Sequence, residues 1–346
     1  MKRLIFILIL IALFVQPVSA LETDIPQVTG EGAQFMPDQN STFGEDLMHI
    51  LKSALKTLKP EIAEAAKVCL GILSTVFLVS LVRSIDHSDV KVSTLIATTI
   101  IGTMMLSSAN TMTQLGSTSV MEMSDYGKLI LPVMTAALAA QGRINASTAI
   151  YTGTVIFSSV LTTMIAKVLL PMLQLYFCCA IAHSAIREGI LKRITAFIKW
   201  VYTWGLKIIL YVFMGYMTIS GVISGTVDAT AVKAAKITIS GAVPVVGGIL
   251  ADASETILLS AGLIKNSAGT YGLLAFAAIL IGPFMKIGVR YLMVKITAAI
   301  SEVFGVPELS GLINDYSSGM GFLLAMMGSV CLLLMVSLVC FMKGST

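Results

Sequence analysis

The chain alternates between long apolar segments and short polar ones over most of its 346 residues. A helix needs about 20 apolar residues to cross a bilayer. Polar stretches at 110–128 and 306–319 are expected to be connections between such helices. Segments of spanning or near-spanning character lie at 68–82, 92–109, 144–166, 168–182, 200–227, 268–285 and 320–342. The pattern predicts an all-α fold, a polytopic membrane helix bundle spanning 68–346.

The N-terminus has the pattern of a secretory signal peptide over residues 1–20. Positively charged Met1-Lys2-Arg3 precedes the apolar run 4–15, and Val18-Ser19-Ala20 is a small-x-small cleavage site. An uncleaved first membrane helix is the alternative. The twelve apolar residues of 4–15 would span only about 18 Å as a helix, less than the roughly 30 Å of the hydrocarbon core. We therefore expect the mature N-terminus to be extracytoplasmic.

Two further segments precede the first membrane helix. Residues 21–44 are polar and lack apolar periodicity, which predicts a poorly ordered extracytoplasmic arm. Residues 45–67 place apolar and lysine side chains on opposite faces, which predicts an amphipathic helix that lies on the membrane or docks on a partner.

Residues 241–252, Gly-Ala-Val-Pro-Val-Val-Gly-Gly-Ile-Leu-Ala-Asp, form the most unusual apolar stretch. Pro244 lacks an amide donor, and the pair Gly247 and Gly248 lowers helix propensity. The stretch is also short for a spanning helix. It predicts a broken or re-entrant element that faces other helices, because irregular backbone at membrane depth must be shielded. Asp252 is a candidate for a polar lining, although the solvated tip of a hairpin explains it equally well.

A degenerate internal repeat is suggested by proline spacing. Pro132 and Pro244 lie 112 positions apart, and Pro171 and Pro283 have the same separation. We interpret about 126–190 and 238–302 as two copies, in which Pro132 and Pro244 mark equivalent interrupted segments. The alternative is coincidence, since proline is common in membrane helices.

Composition and charge narrow the class further. Charged residues make up 12% of the chain and the mean hydropathy is +0.90, whereas soluble domains carry about 25% charge. The net charge of +4 comes from scattered residues, so no nucleic-acid partner is expected. Lysine and arginine bias predicts that 187–199, 286–290 and the C-terminus are cytoplasmic and that 21–66 is outside.

The sequence carries no motif of enzyme chemistry. Its 3 histidines are far apart, and no zinc helix, phosphate loop or serine nucleophile elbow occurs. The 5 cysteines lie in apolar segments without Cys-x-x-Cys spacing, which favours small buried hydrophobes. An intramembrane protease built on Asp252 would need a second carboxylate that nothing places nearby. We expect neither an enzyme nor a bound metal or cofactor.

The order of these features resembles the stage III sporulation protein AE family of endospore-forming Firmicutes. The resemblance covers most of the chain from about residue 43, and its most specific part is Val243-Pro244-Val245-Val246-Gly247-Gly248-Ile249-Leu250-Ala251-Asp252-Ala253. The Leu-Pro-Val-Met-Thr-Ala stretch from Leu131 and the segments 263–267 and 295–299 are similar to the family too.

The resemblance implies a multi-pass protein of the mother cell membrane facing the forespore. It implies a subunit of a secretion-like export or feeding channel complex, with other stage III sporulation membrane proteins as partners. Among these would be a secretion-type ATPase, ring-forming subunits and a forespore membrane protein. It brings no catalytic residues. The alternative is a stand-alone secondary transporter or permease for a small solute, which would need no partner.

Overall fold

The computed structural model describes residues 26–37, 42–85, 90–140, 144–219 and 267–344. Over these ranges the secondary structure is helical and contains no strand. Six of the described helical segments are long and apolar enough to cross a membrane, as judged by length and composition. The predicted all-α, polytopic fold is confirmed.

Seven α-helices make up the described bundle, preceded by a short 3-10 helix at Gly30–Phe35. A single π turn, Ile165–Leu169, joins the third and fourth of them. The helices are α1 (Phe43–Ile85), α2 (Val90–Ala140), α3 (Ile144–Met164), α4 (Leu170–Ile186), α5 (Gly189–Ile219), α6 (Ser267–Val303) and α7 (Pro307–Gly344).

Helix α7 is the centre of the described bundle. Every residue from Gly319 to Met342 is buried, and α7 packs against α2, α3, α4, α5 and α6. A helix that is apolar on all sides is expected in such a position. The outward-facing apolar side chains belong to the surrounding helices and include Leu78, Ile96, Ile156, Trp200 and Ile296. The helix of highest hydropathy therefore contacts protein and not lipid.

Two helical hairpins reverse direction at the same end of the bundle. The α4–α5 turn passes through Arg187 with φ of 62°, and the α6–α7 turn passes through Gly305 with φ of 70°. Helices α3, α4 and α6 all run towards this end, because Thr154 of α3 contacts Ser337 late in α7 and Arg187 contacts Glu308 at its start. Residues 238–266 of the second repeat copy lie outside the described residues, so the internal repeat and the superposition of its copies remain predictions.

Four sequence-based boundaries are wrong. The helix continues through Pro132 inside α2, residues 110–128 are helical, and α7 begins at Pro307 and includes most of 306–319. A proline inside a helix costs about 3 kcal/mol, but buried neighbours such as Leu131 and Met134 hold this segment in the core. The prediction of an interruption at Pro132 is therefore wrong. Likewise α1 continues across the 67/68 boundary that was expected to separate an amphipathic helix from a membrane helix.

Residues 26–37 of the N-terminal arm are docked on the bundle, although the sequence predicted poor order for 21–44. Phe35 is 3% exposed, and a side chain on Gly282 of α6 would meet its ring. A Cβ on Gly32 would lie 3.0 Å from the backbone Cα of Ile279. Polarity along 21–44 concealed these contacts, because a few small and aromatic residues make them.

Candidate functional site

The predicted site residues do not converge within the described part of the chain. Pro132 and Pro171 are exposed and Pro283 is buried, each on a different helix. A Cβ on Gly272 of α6 would meet Ile130, which neighbours Pro132. Pro283 lies eleven residues further along α6, about 16 Å away. Pro244, Gly247, Gly248 and Asp252 lie outside the described residues, so their role stays a prediction.

Pro171 coincides with the one irregular stretch inside a long described helix. The π turn Ile165–Leu169 directly precedes α4, where Pro171 occupies the first turn. The hydroxyl of Tyr202 on α5 donates a hydrogen bond to the carbonyl of Leu169. The Leu169 carbonyl thus has a side-chain partner within the bundle, next to irregular backbone that needs shielding at membrane depth.

A set of ion pairs, the turn cluster, joins the two hairpin turns. It consists of Arg83 on α1, Arg187 after α4 and Glu308 in the first turn of α7. The Arg83 Nη2 and Glu308 Oε2 atoms lie 2.9 Å apart, and Arg187 pairs with the same carboxylate. Ser184 Oγ donates to the Glu308 carbonyl over 3.0 Å. A carboxylate near a helix N-terminus also interacts favourably with the helix dipole. The cluster ties α1, α4 and α7 together at one end of the bundle.

A polar cleft of about 380 Å³ lies beside the turn cluster, between α4, α5 and α7. Within it, Lys199 Nζ donates to Asp315 Oδ1 over 2.8 Å. Behind the cleft, the buried Tyr176 hydroxyl donates to the Asp315 carbonyl over 3.0 Å. The ionisable and amide side chains that line the cleft are His183, Arg187, Lys192, Lys199, Glu308, Asn314 and Asp315.

A second charged group lies in the middle of α6. Arg290 is 6% exposed, and its Nη2 donates to Glu64 Oε1 of α1 over 3.0 Å. Lys286 Nζ lies 3.5 Å from Glu31 Oε2 and 4.0 Å from Glu61 Oε1. These pairs hold the N-terminal arm and the first half of α1 against α6.

The ion pairs of Lys286 and Arg290 on α6 contradict part of the predicted membrane topology. Lys286 and Arg290 were placed in the cytoplasm and 21–66 outside, yet Lys286 lies beside Glu31. The positive-inside rule counts loop residues, whereas these two side chains belong to a helix and face carboxylates. Helix α7 starts beside Arg187 and ends beside Gly269. If α7 crosses the membrane, the C-terminus therefore lies on the opposite side of the membrane from Arg187. The opposite placement of 21–66 and 187–199 remains a prediction.

A second cavity of about 360 Å³ lies on the outer surface between α2 and α3. We call it the hydroxyl groove, after the six residues that line it with hydroxyls: Ser124, Tyr151, Ser158, Ser159, Thr162 and Thr163. Among the described residues, the buried Thr162 hydroxyl has no hydrogen-bond partner. Ser124 and Ser158 are 7% and 8% exposed. At the rim, Lys128 pairs with Asp125 over 2.8 Å.

Possible metal ligands and cysteine side chains are also present in the described part of the chain. The described ranges contain no group of three or more His, Cys, Asp or Glu residues that could hold a metal ion. No disulfide joins the five cysteines, all of which lie in the described ranges; Cys69, Cys179, Cys331 and Cys340 are buried as predicted, whereas Cys178 is exposed. The polar sites of the described chain are therefore ion-pair and hydroxyl sites.

The turn cluster and both cavities were not predicted. The prolines and glycines drew attention because they interrupt helices, whereas ion pairs between residues far apart in sequence leave no local pattern. One signal was present: Arg83 follows the first apolar segment and Glu308 precedes the last. Opposite charges at the ends of apolar segments are candidates for pairing once those ends meet.

Comparisons with known proteins identify the family that this sequence resembles over most of its length. A family model described as stage III sporulation protein AE matches residues 34–345. A protein of Bacillus subtilis (strain 168) named stage III sporulation protein AE is 21% identical over 271 residues. That match covers 78% of this chain and 66% of the relative, slightly under two thirds of the relative's length. No solved structure matches. The family match spans most of the chain, including all seven described α-helices, and so this protein belongs to the stage III sporulation protein AE family.

Proposed function

We propose that the protein is a non-enzymatic membrane subunit of an export or feeding channel complex between mother cell and forespore. It would act in the mother cell membrane with other stage III sporulation membrane proteins. A secretion-type ATPase, ring-forming subunits and a forespore membrane protein are the further partners proposed. Family membership supports the sporulation role, and the six long apolar helices support a multi-pass location.

The hydroxyl groove is the observation that supports a subunit rather than an independent protein. Its lining residues on α2, from Ser124 to Leu131, follow helical spacing, and those on α3 run from Tyr151 to Thr163. Twelve residues of helix extend about 18 Å, so the groove is a furrow parallel to the helix axes. A helix of another subunit has the matching shape.

The chemistry of the furrow favours the same occupant. A hydroxyl that faces hydrocarbon without a partner loses hydrogen-bond energy. Serine and threonine hydroxyls pair across membrane helices, at about 0.6 kcal/mol each on average. The exposed Ser159 can donate to a polar side chain on the partner helix, and rotation of the Thr162 side chain, whose buried hydroxyl is unpaired, would bring a second donor to it.

Other polar groups of the bundle already serve its internal structure. Glu308 is shared by two arginines, Asp315 accepts from Lys199, and Arg290 pairs with Glu64. These pairs join helices of the same chain. The hydroxyl groove differs because two of its hydroxyl residues, Ser159 and Thr163, are exposed on the outer side of α3.

The proposal is tested by affinity isolation of the tagged full-length chain from sporulating cells. Thr162→Val keeps the shape and removes the hydroxyl, and we expect the co-isolated membrane partners to fall about threefold. Adding Ser158→Ala should lower them about tenfold. Thr148→Val on the same helix is the matched control, because its exposed hydroxyl already donates to the Ile144 carbonyl over 2.9 Å.

Two results would contradict the proposal. One is equal recovery of partners with Thr162→Val and with Thr148→Val. The other is isolation of the wild-type chain without any partner, together with solute movement by the purified chain alone in vesicles. The second result would support a stand-alone transporter.

A further inference from the structure

The polar cleft carries more positive than negative charge. Its cationic side chains are Arg187, Lys192 and Lys199, and its acidic ones are Glu308 and Asp315. The side chains of Arg187 and Lys199 remain 52% and 39% exposed despite their ion pairs. Lys192 has no ion-pair partner in the described ranges, and it faces the same space.

The donors of the cleft suit a phosphate group. Lys192 and Lys199 are seven residues apart on α5 and share its cleft-facing side with Thr195. Arg187 reaches the space from the neighbouring turn. A guanidinium offers a planar fork of donors and an ammonium a compact charge, and the two together are a common way to bind phosphate oxygens.

The surroundings of the cleft suit the apolar part of a lipid. Ile186 and Ile190 are 64% and 67% exposed at the α4–α5 turn. Phe197 and Trp200 stack on the outer side of α5 with ring centroids 6.1 Å apart. Exposed aromatic residues near a basic cluster are typical of the membrane interface. The outer surface of α5 is therefore apolar, and Trp200 on that surface directly follows the cleft residue Lys199.

We propose that the polar cleft binds the phosphate of an anionic phospholipid headgroup. Lys192, which has no ion-pair partner among the described residues, is the principal cation, and Arg187 and Lys199 are further donors. The acyl chains lie along Phe197 and Trp200. Basic pockets between membrane helices are suited to such headgroups. This binding site is independent of the channel proposal, since it concerns the lipid around the protein and not its protein partners.

The test is thermal unfolding of the full-length protein in detergent with added phosphatidylglycerol, phosphatidylcholine of the same chain length, or inorganic phosphate. Phosphatidylglycerol should raise the melting temperature, because a ligand bound only to the folded state stabilises it. Phosphatidylcholine and inorganic phosphate should have little effect. Lys192→Gln should weaken the phosphatidylglycerol dependence about tenfold, and Lys192→Arg should restore it.

Arg193→Gln is the matched control, because Arg193 is exposed on the next position of α5 and does not line the cleft. Without lipid, both variants should have the melting temperature of the wild type, since both side chains are on the surface. An equal loss in Arg193→Gln, or equal stabilisation by phosphatidylcholine, would overturn the proposal. Stabilisation by inorganic phosphate that matches phosphatidylglycerol would assign the cleft to free phosphate and overturn the lipid assignment.

Discussion

Arg83 and Glu308 form an ion pair with 2.9 Å between Nη2 and Oε2, although 225 positions separate them in the sequence. Their side chains are only 18% and 17% exposed. The pair joins the end of α1 to the start of α7, and Arg187 brings the α4–α5 turn to the same carboxylate. One acidic side chain therefore fixes how three helices meet.

Glu308→Gln tests this role. The substitution keeps a hydrogen-bond acceptor but leaves two arginines without their countercharge, and we expect a loss of about 1–3 kcal/mol in the free energy of unfolding. The measurement is thermal or denaturant unfolding of the purified protein in detergent. Lys128→Gln is the control, since the Lys128–Asp125 pair is 72% and 69% exposed and its loss should cost less than about 0.5 kcal/mol. Equal melting of both variants would show that the turn cluster does not stabilise the fold.

Close packing of α3 against α5 gives a second prediction. A side chain on Gly153 would overlap the ring of Tyr216, whereas nothing lies within 4 Å of a Cβ on Gly215. Gly153→Ala should therefore destabilise the protein by about 1–3 kcal/mol. Gly215→Ala, on the exposed side of α5, should be neutral or stabilise it by up to about 1 kcal/mol. Unfolding in detergent measures both, and a stable Gly153→Ala variant would contradict the packing of these helices.

The docked N-terminal arm gives a third prediction. Phe35→Ala removes the buried ring that covers Gly282, and the arm should then become sensitive to protease. The neighbouring Gln34 is exposed, so Gln34→Ala should leave the arm protected. Limited proteolysis followed by intact-mass measurement compares them. Cleavage of the wild-type arm at the rate of Phe35→Ala would mean that the arm is not held.

Sidedness gives a fourth prediction. Lys56 precedes Arg83 by 27 residues of continuous helix, which is about 40 Å. Lys192 lines the polar cleft, which lies beside the turn cluster that contains Arg83. Single cysteines at these two positions, in a background without the native cysteines, should react from opposite sides of the membrane. Following the predicted extracytoplasmic N-terminus, Lys56→Cys should label in intact cells and Lys192→Cys only after permeabilisation. Labelling of both from one side would contradict the crossing of α1.

Hydropathy was sufficient to predict the fold class and the helix at 320–342. That segment has no polar face, and uniform apolarity is what a central helix requires. Hydropathy failed at 110–128, because a polar helix segment and a polar loop have similar composition. Ser119 in this segment is 1% exposed, and its burial follows from tertiary packing that a local pattern does not contain.

The sites were harder to predict than the helices. Pro132 was expected to break a helix from its intrinsic propensity, but tertiary packing on both sides of it outweighs that propensity. Arg290 was assigned to a basic cytoplasmic stretch because its partner Glu64 is far away in sequence. The hydroxyl groove depends on which faces of α2 and α3 meet, which is settled only once both helices are placed.

The most direct test of membership in a multi-protein channel complex is isolation of the tagged full-length protein from sporulating cells in mild detergent. Native mass measurement and identification of the isolated components follow. We expect an assembly that contains other stage III sporulation membrane proteins and a secretion-type ATPase. We also expect that the purified chain alone moves no solute in vesicles. A chain recovered without partners that transports a solute by itself would contradict a role as a channel subunit.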